Sequence, residues 1–508
     1  MNSLRVTNKT LLKLLSLYKE LSLLGNISAL LGWDMEVNLP SGASGERAIQ
    51  TAYMSKLITE KWEDKAWRRL LRKAFDEKDG MNEGEQAIVR NLERSAKFYL
   101  KVPKKLIVEM SRVTSQAVMI WQKARKENKF TDFLPSLKTI IELNIRFADH
   151  LGYNKNPYDA LLDQYEPGLT TAFCINLFAS LGPQLSQIVK AIQSSKAYKQ
   201  MKTSILESRE YPETDQKQIA LLVLKKMGYD FSTGRMDSAT HPFETQLGRS
   251  DIRITNRYKL HNFLESLYGA MHEGGHALYE QGINKTYAGT PLEGGVSLGI
   301  HESQSRFWEN QIGRNEHFIK WLHPELLKFY PEQMANVDRD TLLRLTNHVH
   351  PSLIRTEADE VTYNLHILLR FELENDLINK KLAVADLPEA WREKTKKYLG
   401  VVSDTDSDGV LQDIHWAHGT FGYFPTYTLG NLYSAQITHA MKKEIDINKA
   451  IEEEKLGIIL SWLRTNIHQH GSRWWPAELI KKVSGQPLTS KYFISYLKEK
   501  YSKIYGRL

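Results

Sequence analysis

The sequence predicts a mainly α-helical protein: one large helical domain, in two lobes around a long cleft, with a small antiparallel β element beside a central helix. Three observations lead to that fold class. Apolar residues recur at intervals of three and four along most of the chain, long alternating segments are scarce, and no internal repeat, low-complexity tract or shift in composition marks off a separate block. With 508 residues, 42% of them hydrophobic, the chain can bury a large core.

The first helix follows a Thr7 or Asn8 cap and carries Leu11, Leu14, Leu15, Tyr18, Leu21 and Leu24 on one stripe. Similar stripes recur around 84–100, 104–127, 135–151, 169–194 and 213–227, within an N-terminal helical lobe of about 1–230. A metal-site region of about 231–440 has stripes around 258–281, 302–321, 340–349 and 352–379. C-terminal helices fill about 441–508, where Leu456, Ile459, Leu460, Leu463 and Ile467 share a face. Two short stretches, 251–255 and 293–300, read as strands flanking the 258–281 helix. The second alternates Val296, Leu298 and Ile300 between Gly residues, and as an edge strand it would hold an extended peptide by main-chain hydrogen bonds. A Gly-rich loop is the alternative there.

Charge and cysteine usage narrow the function class. The net charge of +8, from 68 basic and 60 acidic residues, is spread over short clusters such as Lys104-Lys105 and Lys481-Lys482, which argues against nucleic-acid binding. A single cysteine, Cys174, allows no intrachain disulfide and suits a reducing compartment. Residues 1–19 mix Lys with Leu and lack the apolar core of a secretory signal, and no run of eighteen or more apolar residues occurs. A soluble, cytoplasmic protein without a membrane partner is expected. Asp404-Thr405-Asp406-Ser407-Asp408-Gly409 matches half of a calcium loop, but His415 stands where a bidentate Glu is required, so a solvated acidic loop is expected.

The chemistry centres on His272-Glu273-Gly274-Gly275-His276, a His-Glu-x-x-His pentad in a segment that reads as helix from about Tyr258 to Gln281 and stops at Gly282. Residues i and i+4 share a helix face, so His272 and His276 can present both imidazoles to one metal ion, while Glu273 flanks the ion as a general base for water. With sixteen His and 60 acidic residues, about 0.06 chance matches to this pattern are expected. An ordinary helix with two surface or packed His is the bland alternative. Gly274-Gly275 counts against it, because each Gly inside a helix costs about 1 kcal/mol relative to Ala and makes sense where a backbone or substrate approaches closely.

A tetrahedral catalytic ion needs a third protein ligand and an open position. No His-x-x-Gly-x-x-His continuation follows His276, so that ligand must come from another element. Glu302, in His301-Glu302-Ser303-Gln304-Ser305-Arg306, is taken for this role on a second helix, although it also stands i,i+4 from Arg306. Glu293, Glu309 and His301 are its rivals.

The pentad together with His301-Glu302-Ser303-Gln304 resembles the carboxypeptidase Taq family of metallocarboxypeptidases. Four further signatures stand in the same order: His241-Pro242-Phe243, Asp251-Ile252-Arg253-Ile254-Thr255, Ile354-Arg355-Thr356-Glu357-Ala358-Asp359, and Gly409-Val410-Leu411-Gln412-Asp413-Ile414-His415-Trp416. The similarity runs from Trp33-Asp34 to the last hundred residues. It implies a broad-specificity carboxypeptidase with one Zn²⁺ or Co²⁺ per chain, peptides as substrates and a homodimeric state.

Such chemistry also needs an oxyanion donor and a receptor for the substrate's terminal carboxylate. The aromatic-rich stretch 415–427 supplies Tyr423 first, then His415 and Tyr427, by similarity to helical metallopeptidases. The resemblance points to Arg355 as receptor, since a planar guanidinium grips both oxygens, with Arg253 in reserve; His241 and Tyr427 complete the substrate-binding set. An i,i+4 pair of Arg355 with Asp359 is the structural alternative. An endo-acting oligopeptidase of the same chemistry and a non-catalytic helical metal-binding scaffold are the competing functions.

Overall fold

Capping and apolar periodicity set the helices. Asn8 accepts a hydrogen bond from Leu11 N (2.8 Å) and starts α1, Lys9–Val37, which buries Leu11, Leu14, Leu15 and Leu21. The computed structural model describes residues 4–201 and 204–508. The chain divides into two compact, mainly helical units, each built from three separated stretches. One unit holds Met1–Leu100, Thr203–Thr346 and Ile437–Pro487; the other holds Lys101–Lys202, Asn347–Gln436 and Leu488–Leu508. The stripes expected at 104–127 and 213–227 are helices Lys104–Glu127 and α2, Glu213–Met227.

In the first unit a small mixed sheet lies beside the pentad helix. Its strands are β1 (Met236–Ser238), β2 (Glu244–Gly248) and β3 (Asp251–Asn256), in the order β1-β3-β2, with β1 parallel and β2 antiparallel to β3. Ile252 and Ile254 are buried while Arg253 points the other way, its guanidinium 4.2 Å from the ring centroid of Trp33 on α1. The pentad helix, α3, spans Phe263–Gly282 and starts five residues later than the periodicity suggests. Asn262 is the reason: its side chain accepts from Glu265 N (3.2 Å) and terminates the preceding turn.

The stretch 293–300 is not a strand. Ser297 caps a helix by accepting from Ile300 N (3.0 Å), so Leu298, Gly299 and Ile300 open α4, Leu298–Arg306. Residues 293–296 form the loop before it, tied down by α3: Gly295 N donates to Glu280 (2.8 Å) and Val296 N to the Tyr279 hydroxyl (3.3 Å). A π-helical turn, Phe307–Gly313, then interrupts the helix expected to continue to 321.

In the second unit, Thr362–Ile378 (α5) is buried on almost every face, and the helix Thr171–Ser194 supplies Leu177, Leu181, Leu185 and Ile188 to the same core. By length and composition alone, α1 and Thr171–Ser194 are apolar enough to cross a membrane.

Candidate metal centre

Two glycines let the pentad helix be packed closely. A Cβ on Gly274 would stand 2.5 Å from Leu224 of α2, and one on Gly275 would stand 2.6 Å from the Gln304 carbonyl oxygen of α4. Removing the side chain at 275 therefore brings α4 backbone against α3, and this carries Glu302 up to the two imidazoles. The Nε2 atoms of His272 and His276 each lie 3.5 Å from Glu302 Oε2. One ligand atom from each of the three residues falls within 4.8 Å of the others. An ion with tetrahedral bonds of about 2.1 Å separates its donors by about 3.4 Å, so this donor set fits a divalent cation.

Glu302 also makes the i,i+4 pair. Arg306 Nε binds its Oε1 at 2.7 Å, leaving Oε2, which also accepts from Ser305 Oγ at 3.1 Å, toward the imidazoles. Burial alone would raise this carboxyl, but Arg306 and His272 hold it well below the ordinary range. The rival ligands stand elsewhere. Glu309, carried by the π-helical turn, accepts from His272 Nδ1 at 2.9 Å and from Arg306 Nη1 at 3.1 Å. Burial raises Glu309 too, yet Arg306 and His272 bring it to about 2. His301 sits behind His276, Nδ1 facing Nδ1, and its Nε2 lies 3.1 Å from Glu280 and 3.8 Å from Glu244. Glu293 binds Gln246 (3.2 Å) and Gly289 N (2.6 Å). Such outer partners orient ligating imidazoles and set their tautomers; nothing in the spacing of Glu280 or Glu244 advertised them.

Glu273 is buried, and among the described residues its carboxylate has no hydrogen-bond partner. Burial pushes its pKa up to about 7; Glu302 and Glu309 add to the rise, against the pull of His272 and His301. A carboxylate poised near neutrality is suited to taking and returning a proton.

The model of the family described as carboxypeptidase Taq (M32) metallopeptidase matches residues 13–501. The chain belongs to this family. Thermostable carboxypeptidase 1 of Pyrococcus furiosus is 40% identical over 497 residues, 97% of this chain and 99% of that protein. Carboxypeptidase 1 of Bacillus subtilis is 37% identical over 490 residues, 96% of this chain and 97% of the other. Among solved structures, the M32 carboxypeptidase from Deinococcus radiodurans R1 superposes with a TM-score of 0.94 at 36% identity, covering 98% of this chain and 100% of its own. As an M32 family member, the chain is a metallopeptidase, and the fold expected from its periodicity is that of the family.

The other residues expected at the site divide between the units. Arg253, in the first, is bound through Nε and Nη2 to Asp251 (2.8 Å each), and His241 is exposed in the β1–β2 connection. Arg355, His415, Tyr423 and Tyr427 lie together in the second. Arg355 does not pair with Asp359, whose carboxylate instead caps Val361, Thr362 and His350 N–H groups. It binds Asp413 Oδ1 through Nε (2.9 Å) and Nη2 (2.8 Å) and donates from Nη1 to Tyr363 (2.9 Å). The other Asp413 oxygen takes Arg370 Nε at 2.7 Å. Two buried guanidinium groups thus share one carboxylate and leave a net positive charge. His415 rests against Phe424, its Nε2 3.3 Å from the Tyr427 hydroxyl; burial, reinforced by Arg355 and Arg370 against Asp413, lowers it to about 4 and keeps it neutral.

Glu374 underpins that loop and was not visible in the sequence. It accepts from Tyr158 (2.5 Å), Trp416 Nε1 (2.8 Å) and Gly422 N (2.9 Å), and so holds both sides of the segment carrying His415 and Tyr423.

Proposed function

We propose that this metallocarboxypeptidase releases single C-terminal amino acids from peptides with broad specificity, using one Zn²⁺ or Co²⁺ held by His272, His276 and Glu302. The observation that carries the reading is the convergence of three donors beside a buried carboxylate, Glu273. A divalent cation there supplies Lewis acidity, lowering the pKa of water and polarising a carbonyl. Glu273 takes the proton from the attacking water and returns it to the leaving amine. Glu309 and His301 keep the two imidazoles oriented, each through its Nδ1 atom.

Tyr423, followed by His415 and Tyr427, is the proposed donor to the developing oxyanion. Arg355 is the proposed receptor for the substrate's terminal carboxylate, a role supported by the surplus positive charge it shares with Arg370 over Asp413. Arg253, gripped by Asp251 and stacked on Trp33, is the weaker choice, and His241 and Tyr427 line the substrate. The chain acts in the cytoplasm, free of membrane and nucleic acid, as a homodimer.

The test is a peptide blocked at its N-terminus and incubated with the enzyme, with and without a chelator, the products being weighed by mass spectrometry. Stepwise loss of single residues from the free C-terminus, abolished by chelation, is expected. Internal cuts would support an endopeptidase instead.

A further inference from the structure

The helix that carries Glu302 is short, nine residues from Leu298 to Arg306, and a helix of that length does not hold its own position. Gly275 sets how closely α4 can approach α3, but a close approach is not a fastening. The fastening comes from a segment far along the chain, between Ile467 and Trp474, in the same unit.

His468 is fully buried, and its ring enters where α3 ends: a Cβ on Gly282 would stand 2.5 Å from its Nδ1 and 2.6 Å from its Cβ. Its Nε2 lies 2.9 Å from Gln304 Oε1, two residues beyond Glu302. Gln304 Nε2 donates to Ser303 Oγ (2.9 Å), so Gln304 Oε1 is an acceptor and His468 donates from Nε2–H. Burial, with Arg464 and His301 adding to it, keeps the ring neutral. Four residues on, Ser472 secures the loop before α4. Its N donates to Leu292 O (3.1 Å), and its hydroxyl reaches Gly294 O (3.0 Å) and Gly295 O (3.2 Å). Gly471 between them has positive φ (48°), and a Cβ there would strike the Leu292 carbonyl. The strap therefore grips α4 at both ends, at its leading loop and at its ion-facing turn.

We propose that His468 and Ser472 are positioning residues for the ion site, fixing α4 against α3 and thereby setting the reach of Glu302. The proposal rests on His272, His276 and Glu302 being the ligand set. Neither residue touches the ion; both act through the placement of Glu302.

The experiment strips the full-length enzyme with a chelator and titrates it with Co²⁺ in competition with a chromophoric chelator, recording the visible Co²⁺ spectrum and far-UV circular dichroism. His468→Ala is expected to weaken Co²⁺ binding about tenfold or more and to alter the visible band, with helicity retained. His468→Gln, which restores an N–H donor, recovers most of the affinity. Ser472→Ala weakens binding severalfold and carries the test by itself if His468→Ala does not fold. Gln469→Ala, on the same segment, leaves binding unchanged. Wild-type affinity and spectrum in both His468→Ala and Ser472→Ala overturn the proposal, as does a Gln469→Ala loss equal to theirs. His272→Ala separates the two levels: Co²⁺ held there at wild-type affinity would overturn the ligand set itself.

Discussion

Gly275 lies directly against Ser305: a Cβ at 275 would stand 2.7 Å from the Ser305 Cα, a distance backbone cannot give way to without moving α4. Gly275→Ala is expected to weaken divalent-ion binding about tenfold or more and to cost about 1–3 kcal/mol of stability by overpacking. Gly274→Ala meets the ends of flexible side chains, Leu224 and Met227, and should disturb the ion much less. Calorimetric ion titration and denaturant unfolding of both variants check this; equal ion affinities in the two would contradict it.

Glu273→Gln separates binding from chemistry. The amide cannot accept the proton of the attacking water, so kcat should fall by about 10²–10⁴ while the ion remains bound. Steady-state kinetics with a parallel ion assay gives the answer, and unimpaired turnover would remove Glu273 from the general-base role.

Arg355→Lys keeps a charge but loses the planar fork. Asp413 stays paired through Arg370, so the fold should survive the exchange. For peptides with a free C-terminus, kcat/KM should drop by about tenfold or more, with little change for C-terminally amidated peptides. An equal drop on both would take Arg355 out of the carboxylate-receptor role.

Glu374 predicts a pH dependence of stability. Burial raises its pKa from 4.5 to about 7 despite the hydrogen bonds from Tyr158, Gly422 and Trp416. Between those values the folded chain keeps a proton that the unfolded chain releases, so this group's contribution to stability is full below 4.5 and is lost as pH rises through 7. The stability of the wild type relative to Glu374→Gln should therefore fall by up to about 3 kcal/mol across that window. Urea unfolding of both proteins at several pH values measures it; a difference that is flat or rises with pH would refute the assignment.

Much of the candidate ion site could be proposed from the sequence because its residues are close along the chain. His272 and His276 lie one helical turn apart, and Glu302 follows within the next helix. What surrounds them could not be, since His301 behind His276, Glu280 behind His301 and His468 on Gln304 arise only from tertiary packing. The strand expected at 293–300 failed because one serine cap outweighs three alternating apolar residues. β1 was invisible for a different reason: Met236–Ser238 is three residues long and shows no period. The two units could not be read from composition, as each takes its core from three stretches of one helical character.

The most direct test of the account is the ion content of Glu302→Ala beside that of the wild type, measured by atomic spectrometry after chelator stripping, reloading and gel filtration. The account predicts one divalent ion per wild-type chain and background levels in the variant. A full complement of tightly held ion in Glu302→Ala would contradict it.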